Sequence, residues 1–323
     1  MRVLITGGCG FIGSAVVRLA AERGDHILNL DRRRKSTQLP ALASVAGKPG
    51  YARLEADISD RSLMRALFRE FKPDAVIHLA SAGDDHDENR LFDSEITGAF
   101  AILEASRAHY LTLEDGSRER FRIVHAQRAD GDGATEPTPI EAARTAAAAL
   151  FDSWSQAYRL PLVTCVAGDV FGPWQPDTSL LSRLVFSLFQ GRPFKFDSGG
   201  EIVRDWLPVS DFASGLIRAA EAAPPLSRFE FSAGAERRDI DLAEAICALL
   251  DARAPMPSAA SWFQLIGTVG NSANASSGPM LDPGDAEEHL GWRSRGFHAG
   301  LDRALNWALT HRAPPPAHAI AAE

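Results

Sequence analysis

The segment from Thr6 to Ser14, TGGCGFIGS, carries Gly7, Gly10 and Gly13 between an apolar β-branched run and a helix-forming run. Three glycines at this spacing let a chain turn sharply at the end of a strand and start a helix close to it. The first helical N–H groups then point into the turn, where they can bind phosphate oxygens. The segment therefore predicts a strand, a phosphate-binding turn and a helix, which is the opening of a βαβ unit.

The first half of the chain continues in this rhythm, with short apolar runs alternating with amphipathic stretches. Such alternation is typical of a parallel sheet covered by helices on both faces. We therefore predict an α/β protein with a Rossmann-type doubly wound parallel sheet and a smaller C-terminal substrate lobe. Because the rhythm breaks after Pro173, we place the first domain at residues 1–173 and the lobe at 174–323, with some chain exchange between them. The main predicted helices lie at 14–23, 61–71, about 91–108 and 141–158.

A carboxylate follows the turn at the distance typical of a dinucleotide site. Asp31 ends the second predicted strand, 18 residues after the last glycine of the turn, where its oxygens can accept hydrogen bonds from ribose hydroxyls. The same charge would repel a ribose phosphate, which favours NAD as the cofactor. Arg32 and Arg33 keep NADP open, because guanidinium groups accommodate that phosphate. Asp57 and Ile58, at the end of the third predicted strand, can flank the adenine or belong to a helix cap.

The composition argues against several classes of function. A net charge of −8 disfavours a general nucleic-acid or anionic-membrane binder. No apolar run approaches the roughly 20 residues that span a bilayer. The three cysteines, at positions 9, 165 and 247, are scattered without metal-ligand spacing, so we predict no metal site. Isolated thiols and the lack of a visible signal peptide predict a cytoplasmic protein.

Four different short motifs are spread over nearly the whole chain. They are HLA at 78–80, GP at 172–173, RDW at 204–206 and LGW at 290–292. With the G-x-x-G-x-x-G turn they resemble the extended short-chain dehydrogenases that act on nucleotide sugars, most closely the dTDP-glucose 4,6-dehydratases. Members of that family bind NAD in the first lobe and a nucleoside-diphosphate sugar in the second. They oxidise the sugar at C4, eliminate or epimerise, and return the hydride. The resemblance implies NAD, a nucleoside-diphosphate sugar or related small molecule, and a homodimer built on the helices at 91–108 and 141–158.

The glycine turn and the resemblance together predict the binding residues. For the cofactor they are Gly7, Gly10, Phe11, Ile12, Gly13, Asp31, Arg32, Asp57, Ile58, Leu79 and Ala80. For the substrate they are Asp169, Lys195 and Arg204, with the guanidinium of Arg204 suited to pair with phosphate oxygens. Two alternatives stay open. Arg204 can instead form a buried pair with Asp205, and the short strand around Lys195 can belong to the core and not contact a nucleobase.

The helix that carries the family's catalytic pair departs from the family pattern. The family uses a tyrosine as the base and a lysine one turn later, and these two positions hold Ile140 and Arg144. None of the three tyrosines in the chain is followed four residues later by a lysine. Ile140 cannot exchange a proton, and Arg144 stays protonated near neutral pH, so it can bind a ribose or phosphate but cannot act as a base.

The positions of the elimination chemistry differ as well. Arg128 stands in place of a threonine that steadies the substrate, Ala129 in place of the acid, and Asp130 in place of the base. Glu95 stands in place of one asparagine of the family, and Asp169 stands in place of another. A carboxylate at Asp169 would repel a diphosphate, so the ligand itself can differ. These replacements predict that ordinary 4,6-dehydratase activity is absent.

Two main hypotheses follow, because a fold does not determine a function. In the first, the chain is an enzyme with changed chemistry on a nucleotide sugar. Its candidate catalytic residues are Asp130, Arg144 and His86, with His125 as a further histidine on a buried strand. In the second, it is a catalytically inactive NAD-binding protein that acts as a partner or regulator. A third role, which rests only on the predicted dimer surface, stays open.

Overall fold

The structure is a computed structural model that describes residues 1–32, 39–81, 87–129, 138–196, 199–234, 236–256, 258, 260–268 and 278–311. The strands in these ranges are β1 (Arg2–Thr6), β2 (His26–Asp31), β3 (Tyr51–Glu55), β4 (Ala75–His78), β5 (Arg122–Arg128), β6 (Leu162–Ala167), β7 (Asp169–Phe171), β8 (Phe194–Phe196), β9 (Val203–Pro208), β10 (Ser227–Phe231), β11 (Glu236–Arg238) and β12 (Ile266–Thr268). The α-helices there are α1 (Phe11–Glu22), α2 (Arg61–Phe71), α3 (Glu88–Phe92), α4 (Gly98–Tyr110), α5 (Asp115–Arg120), α6 (Pro139–Tyr158), α7 (Leu180–Phe189), α8 (Val209–Ala222), α9 (Asp239–Arg253), α10 (Gly284–Leu290) and α11 (Phe297–His311).

Seven of the described strands form one parallel sheet with the order β10-β6-β5-β4-β1-β2-β3. Helices α1 and α8 pack together on one face, and α2, α4 and α6 cover the other. The predicted doubly wound α/β fold of the Rossmann type is therefore confirmed. Strand β10 lies beyond residue 173 in the sequence and forms one edge of this sheet. The domain boundary at residue 173 stays a prediction.

Strand β1 shows why the sheet is apolar on both faces. Successive side chains of a strand point to opposite faces. Val3 and Ile5 pack into the cluster that contains α1 and α8, whereas Leu4 packs into the cluster that contains α2 and α4. All three side chains are fully buried. A continuous apolar run is what a strand covered by helices on both faces requires.

The other described strands form two small sheets, with the orders β11-β9-β7 and β12-β8. They lie with α7, α9 and α11 around a separate apolar cluster. The sequence predicts β8 and β9 as two strands joined by a turn. The two strands are present, but they belong to different sheets, since β8 pairs with β12 and β9 pairs with β7 and β11.

The RDW motif begins the segment RDWLPVSD, at 204–211. In the folded chain this segment contacts the LGW motif at 290–292. The indole Nε1 of Trp292 donates to the backbone oxygen of Asp211 at 2.9 Å. The buried carboxylate of Asp211 accepts hydrogen bonds from Ser294 Oγ at 2.9 Å and from the backbone N–H of Arg295 at 2.7 Å. These contacts fasten the start of α8 to the segment before α11. The two motifs therefore have a structural role in this chain.

The helix predicted at about 91–108 is a longer helical run with one irregular turn. It comprises α3, a π-helical turn over Asp93–Thr97, and α4. It begins at Glu88 because the carboxylate of Asp87 accepts hydrogen bonds from the first free backbone N–H groups, as an N-cap. A π-helical turn contains one residue more than an α-helical turn and is frequent at functional sites.

Helix α6 begins at Pro139, two residues before the predicted start. Thr138 and Glu141 form a capping box, in which the Glu141 N–H donates to Thr138 Oγ1 and the Thr138 N–H donates to Glu141 Oε2. Helix α2, in contrast, has the predicted bounds, with Asp60 as its N-cap.

None of the helices in the described ranges combines the length and the apolarity needed to cross a membrane.

Two histidines lie beneath α6 in the centre of the sheet. Nδ1 of His78 lies 2.7 Å from Thr6 Oγ1, and the ring of His125 stacks on Phe151 with centroids 4.1 Å apart. Burial lowers the pKa of His78 to about 4. Burial, together with the neighbouring His78, lowers the pKa of His125 well below its ordinary value. Both rings are therefore neutral in the folded protein near neutral pH.

We expect acid to destabilise the fold through these rings. A histidine of the unfolded chain takes up a proton near pH 6.5, whereas His78 does so only near pH 4. Since the unfolded state binds more protons between these values, the free energy of unfolding falls as the pH drops, by about 3 kcal/mol for His78 alone. His78→Asn keeps a polar group near Thr6 but does not titrate. Urea unfolding at about pH 7 and about pH 5 should show a smaller loss for His78→Asn, by about 2 kcal/mol.

The exposed His289 provides the control, because His289→Asn should leave the pH dependence of the unaltered protein unchanged. Equal losses of stability in His78→Asn and the unaltered protein would contradict the assignment.

Candidate functional site

The carboxyl ends of the central strands meet at one edge of the main sheet. The strand order changes direction between β1 and β4, because β2 lies on one side of β1 and β4 on the other. In open α/β sheets, ligands bind in the crevice outside the strand ends at such a point. Gly7 follows β1, Leu79 follows β4 and Ala129 follows β5. The predicted cofactor residues Gly7 and Leu79 therefore come together at this edge with Ala129.

The glycine turn after β1 is closely packed at two of its three predicted glycines. Gly7 has a φ of 74°, a conformation that favours glycine. A Cβ on Gly7 would lie 2.7 Å from the backbone of Leu79 and Ala80. A Cβ on Gly13 would overlap the carbonyl oxygen of Gly7 and lie 2.7 Å from Gly8 Cα. Because these two glycines have no Cβ, the first turn of α1 can lie directly against the end of β1.

Gly10 differs from the other two glycines. It is the N-cap of α1, with a φ of −78° that any residue can adopt. Within 4 Å, the described atoms that a Cβ would meet there are limited to the Gly7 carbonyl oxygen, at 3.2 Å. The fold alone thus excludes a side chain less strictly at Gly10 than at Gly7 or Gly13, since a Cβ there requires only a small shift of one carbonyl oxygen. A bound group that approaches the first turn of α1 accounts for the glycine, as a pyrophosphate does in a dinucleotide site.

The other predicted cofactor residues surround this turn. Oδ2 of Asp31 accepts a hydrogen bond from the backbone N–H of Cys9 at 2.8 Å. This bond holds the carboxylate beside the glycine turn of residues 7–13, which we call the cradle. Phe11 and Ile12 are the first two residues of α1 and pack against the core. Leu79 and Ala80 are fixed because their N–H groups approach Thr6 Oγ1, each at 3.3 Å.

The predicted adenine residues lie next to α4. Arg32 forms an ion pair with Asp57, with Nη1 and Oδ2 3.3 Å apart. Burial alone would raise the pKa of Asp57, but hydrogen bonds from Ser59 and the charge of Arg32 lower it. Ile58 is buried, and a Cβ on Gly98 of α4 would lie 2.6 Å from its Cγ1. Ile58 thus has a packing role, and the N-cap of the next helix is Asp60.

Arg144, which the resemblance assigns to the family's lysine position, belongs to a hydrogen-bonded group of three side chains. It lies one turn after Ile140 in α6, and its Nε and Nη2 lie 3.3 and 3.1 Å from Ser81 Oγ. Ser81 Oγ in turn donates to Oε1 of Glu95 at 2.5 Å. Ser81 follows Ala80 at the end of β4, and Glu95 lies on the π-helical turn. A hydroxyl, a carboxylate and a guanidinium are thus joined at the crevice.

The π-helical turn accounts for the position of Glu95. The turn interrupts the regular spacing of the helical run, and both Ser94 and Glu95 within it are buried. The side chain of Glu95 is 6% exposed, and a carboxylate this deeply buried requires charged or hydrogen-bonded partners. Ser81 and, through it, Arg144 meet that requirement. The short distance to Ser81 is typical of a hydrogen bond to an ionised acceptor.

The predicted substrate residues Arg204 and Asp169 belong to a chain of ion pairs. Nη2 of Arg128 lies 3.1 Å from Oδ1 of Asp169, whose Oδ2 lies 3.2 Å from Nη1 of Arg204. Nε of Arg204 lies 2.8 Å from Oδ1 of Asp239. Burial alone would lower the pKa of Arg204, but the two carboxylates raise it. Because two guanidinium groups flank Asp169, its charge is compensated, and the repulsion of a diphosphate inferred from the sequence is offset.

The alternative pairing of Arg204 with Asp205 is wrong. Neighbouring residues of a strand point to opposite faces, so Asp205 lies away from the guanidinium of Arg204. Asp205 is buried and accepts from the backbone N–H of Ala233 at 3.4 Å, and burial raises its pKa. The two contacts of Arg204 use Nη1 and Nε, so neither involves Nη2.

The remaining predicted residues have different surroundings. Lys195 is exposed on β8, while its neighbour Phe196 is buried in the core of the second lobe. The strand thus presents both a core face and an outer face. His125 is buried under Phe151, away from the group around Ser81. His86, Asp130 and Arg33 lie outside the described residues. In the part of the chain that the structure describes, no cluster of His, Cys, Asp or Glu is arranged to hold a metal ion.

Sequence reasoning did not identify Ser81 as a site residue, and it treated Glu95 only as a departure from the family. The available signal for Ser81 was its position, directly after the HLA motif at the carboxyl end of a predicted strand. No sequence signal indicated the π-helical turn. Asp239 was not identified either, because its contact with Arg204 joins segments 35 residues apart.

Comparison with known proteins agrees with this geometry. Residues 3–230 match the NAD dependent epimerase/dehydratase family. The dTDP-glucose 4,6-dehydratase of Neisseria gonorrhoeae is 30% identical over 335 residues, with 96% of each chain covered.

Solved structures share the fold. The dTDP-glucose 4,6-dehydratase of Bacillus anthracis in complex with NAD superposes with a TM-score of 0.80 at 19% identity, covering 97% of each chain. The Bordetella bronchiseptica enzyme WbmG, in complex with NAD and UDP, has a TM-score of 0.74 at 22% identity, covering 97% of this chain and 96% of that one. The chain belongs to the NAD-dependent epimerase/dehydratase family of extended short-chain dehydrogenases.

Proposed function

We propose that the chain binds NAD in the crevice and uses it to oxidise a hydroxyl group of a nucleoside-diphosphate sugar, with chemistry that differs from that of the 4,6-dehydratases. One observation carries the proposal. The glycine cradle, the Ser81 group and the ion pairs of Arg204 occupy the same end of the molecule. Ser81 follows the residues that pack on the cradle, and Arg128, at the end of β5, begins the ion pairs that reach Arg204.

The cofactor half of the proposal rests on the cradle. A glycine at position 10, where the protein alone requires only a small shift to accept a side chain, fits a pyrophosphate that approaches the helix. Gly7 and Gly13 would hold that turn, and the carboxylate of Asp31 would accept from ribose hydroxyls. NAD supplies a hydride acceptor when it is bound. The NAD present in the two solved relatives supports this assignment.

The substrate half rests on Arg204. Its guanidinium is held by two carboxylates in a fixed orientation, and the Nη2 not used in those contacts can reach a phosphate oxygen. Arg128, whose side chain is about half exposed, lies at the same edge and adds positive charge. A sugar joined to a diphosphate fits two guanidinium groups near the end of β5. Lys195 on the outer face of β8 is a further candidate contact.

Ordinary dehydratase chemistry is not expected from this pocket. The elimination acid of the family corresponds to Ala129, which is 9% exposed and packs with Val166 and Leu281. A methyl group in an apolar cluster cannot donate a proton. Ile140 provides no phenol for the oxidation step. The reaction would therefore end with, or pass through, a keto sugar without loss of water.

A second candidate is a catalytically inactive NAD-binding protein. The observation that favours it is the hydrocarbon side chain of Ile140 where the family has its base. Under this alternative the protein binds NAD and a nucleotide sugar, but no hydride passes between them.

We expect the variant Gly10→Val to fold and to lose NAD. Its side chain would occupy the space assigned to the pyrophosphate, so the affinity for NAD should fall at least about 100-fold. Calorimetry measures NAD binding, and thermal unfolding without NAD checks the fold. The control is Gly116→Val, at an exposed glycine that also has room for a side chain. NAD binding to Gly10→Val with unchanged affinity, or no NAD binding to the unaltered protein, would contradict the cofactor assignment.

The proposed reaction is tested by mixing the NAD-loaded protein with dTDP-glucose or UDP-glucose. We expect the near-ultraviolet absorbance of NADH to appear, and mass spectrometry to find no 4-keto-6-deoxy sugar. Binding of both ligands without NADH formation would support the inactive protein instead. A robust yield of the 4-keto-6-deoxy product would contradict the divergence from dehydratase chemistry.

We also propose that the chain forms a homodimer through α4 and α6. Small exposed residues follow one another at helical spacing on α6, at Ala142, Thr145, Ala146 and Ala149, and they allow close approach of a second helix.

A charge on this stripe should give a monomer, because an unpaired charge in a close helix contact is unfavourable. We expect Ala146→Glu to be monomeric and Ala46→Glu, at an exposed site elsewhere, to stay dimeric by light scattering. Ala147 is unsuitable for this test because it is buried within the protomer. A monomer mass for the unaltered protein would contradict the proposal.

A further inference from the structure

The group formed by Ser81, Glu95 and Arg144 supplies a route for a proton at the crevice. We propose that Ser81 Oγ takes the proton of the substrate hydroxyl while it passes its own proton to Glu95, and that Arg144 stabilises the charge on Oγ during the transfer. This inference rests on the proposed function and names the residues that perform its first step.

The place of Ser81 in the fold supports contact with a substrate. It follows Leu79 and Ala80, whose backbone lies against Gly7 of the cradle. It therefore lies beside the point where a dinucleotide in the cradle extends along the carboxyl ends of β4 and β5. A hydroxyl at this position is next to the reacting half of such a cofactor. Ser81 is the catalytic residue of the proposal, because in the proposed step its oxygen accepts the proton of the reacting hydroxyl.

Glu95 acts through Ser81 and is a positioning residue in this scheme. Its Oε1 is 2.5 Å from Ser81 Oγ, and Ser81 is the donor. A hydroxyl that already donates to a carboxylate becomes more basic toward a second hydroxyl. The burial of Glu95 on an irregular helical turn supports a functional role, since π-helical turns frequently occur at such sites. A surface carboxylate would not need this arrangement.

Arg144 has a different part from the family's lysine. Its guanidinium donates from two nitrogens to Ser81 Oγ, which uses both lone pairs of that oxygen. In the proposed step the substrate hydroxyl replaces the longer contact, that of Nε at 3.3 Å, while Nη2 keeps its hydrogen bond. The guanidinium stays charged throughout the pH range in which enzymes work. It therefore cannot accept the proton. It can stabilise negative charge that develops on Ser81 Oγ and on the substrate oxygen as the proton moves. It also compensates the charge of the buried Glu95.

The step balances in atoms and electrons. The carbon that bears the hydroxyl loses its hydrogen as a hydride to NAD, and the sugar gains a carbonyl group. The hydroxyl proton goes to Ser81 Oγ, and the original Ser81 proton goes to the carboxylate of Glu95. The products are a keto sugar, NADH and protonated Glu95. Return of the hydride reverses each transfer.

Four variants test the relay by rapid mixing of NAD-loaded protein with dTDP-glucose and with UDP-glucose. Ser81→Ala and Glu95→Gln should each slow NADH formation by about 10² to 10⁴-fold, the usual range for a lost acid–base group. Ser81→Thr, which keeps the hydroxyl, should retain most of the rate. Glu88→Gln, at an exposed carboxylate on the same helical run, should match the unaltered protein. Thermal unfolding identifies any variant that fails to fold.

Two readouts distinguish the relay from a purely structural role. Calorimetry should find the NAD affinity of Ser81→Ala and Glu95→Gln within about threefold of the unaltered protein. Infrared difference spectra should gain a protonated carboxyl band on reduction of NAD, and Glu95→Gln should lack it.

The outcomes separate the relay from the function on which it rests. If the unaltered protein forms NADH and both variants keep its rate, the relay is wrong and the proposed function stands. If the unaltered protein binds NAD and the sugars but forms no NADH, the oxidation itself is wrong and the relay fails with it. Loss of rate with unchanged NAD affinity and loss of the carboxyl band would support the relay.

Discussion

The contact between Gly13 and Gly7 is the constraint on which the site depends. A side chain on Gly13 would overlap the carbonyl oxygen of Gly7, so only glycine lets α1 begin directly against the end of β1. That contact orients the first helical N–H groups and keeps the backbone of Leu79 and Ala80 against the turn. Ser81 comes next in the chain. A steric requirement in the first strand–helix unit therefore determines which residues stand next to a bound cofactor.

The departures from the family pattern form two groups of compensated charges. Glu95 appears with Ser81 and Arg144, which bind it directly or through one hydroxyl. Asp169 appears with Arg128, which joins Arg204 in surrounding the new carboxylate. Glu95 is buried, and a buried charge without partners would be destabilising. The paired charges support the proposal that the pocket serves another reaction.

Much of the fold was predictable because local rules and tertiary structure agree. The alternation of strands and helices predicted the doubly wound sheet, and the predicted bounds of α2 agree with the structure. Details that depend on distant segments were not predictable. The partners of Arg204 are Asp169 and Asp239 and not the adjacent Asp205, because adjacent strand residues face opposite ways. The position of Glu95 depends on a π-helical turn, for which the sequence carries no recognised signal.

A crystal structure of the protein with NAD and UDP-glucose tests the site most directly. We expect the pyrophosphate of NAD at the first turn of α1 beside Gly10, the diphosphate of the sugar within hydrogen-bond distance of Arg204, and a sugar hydroxyl within hydrogen-bond distance of Ser81 Oγ. A sugar that lies beside the nicotinamide but away from Ser81, or a cradle that stays empty at saturating NAD, would contradict the assignment of this crevice as a rebuilt active site.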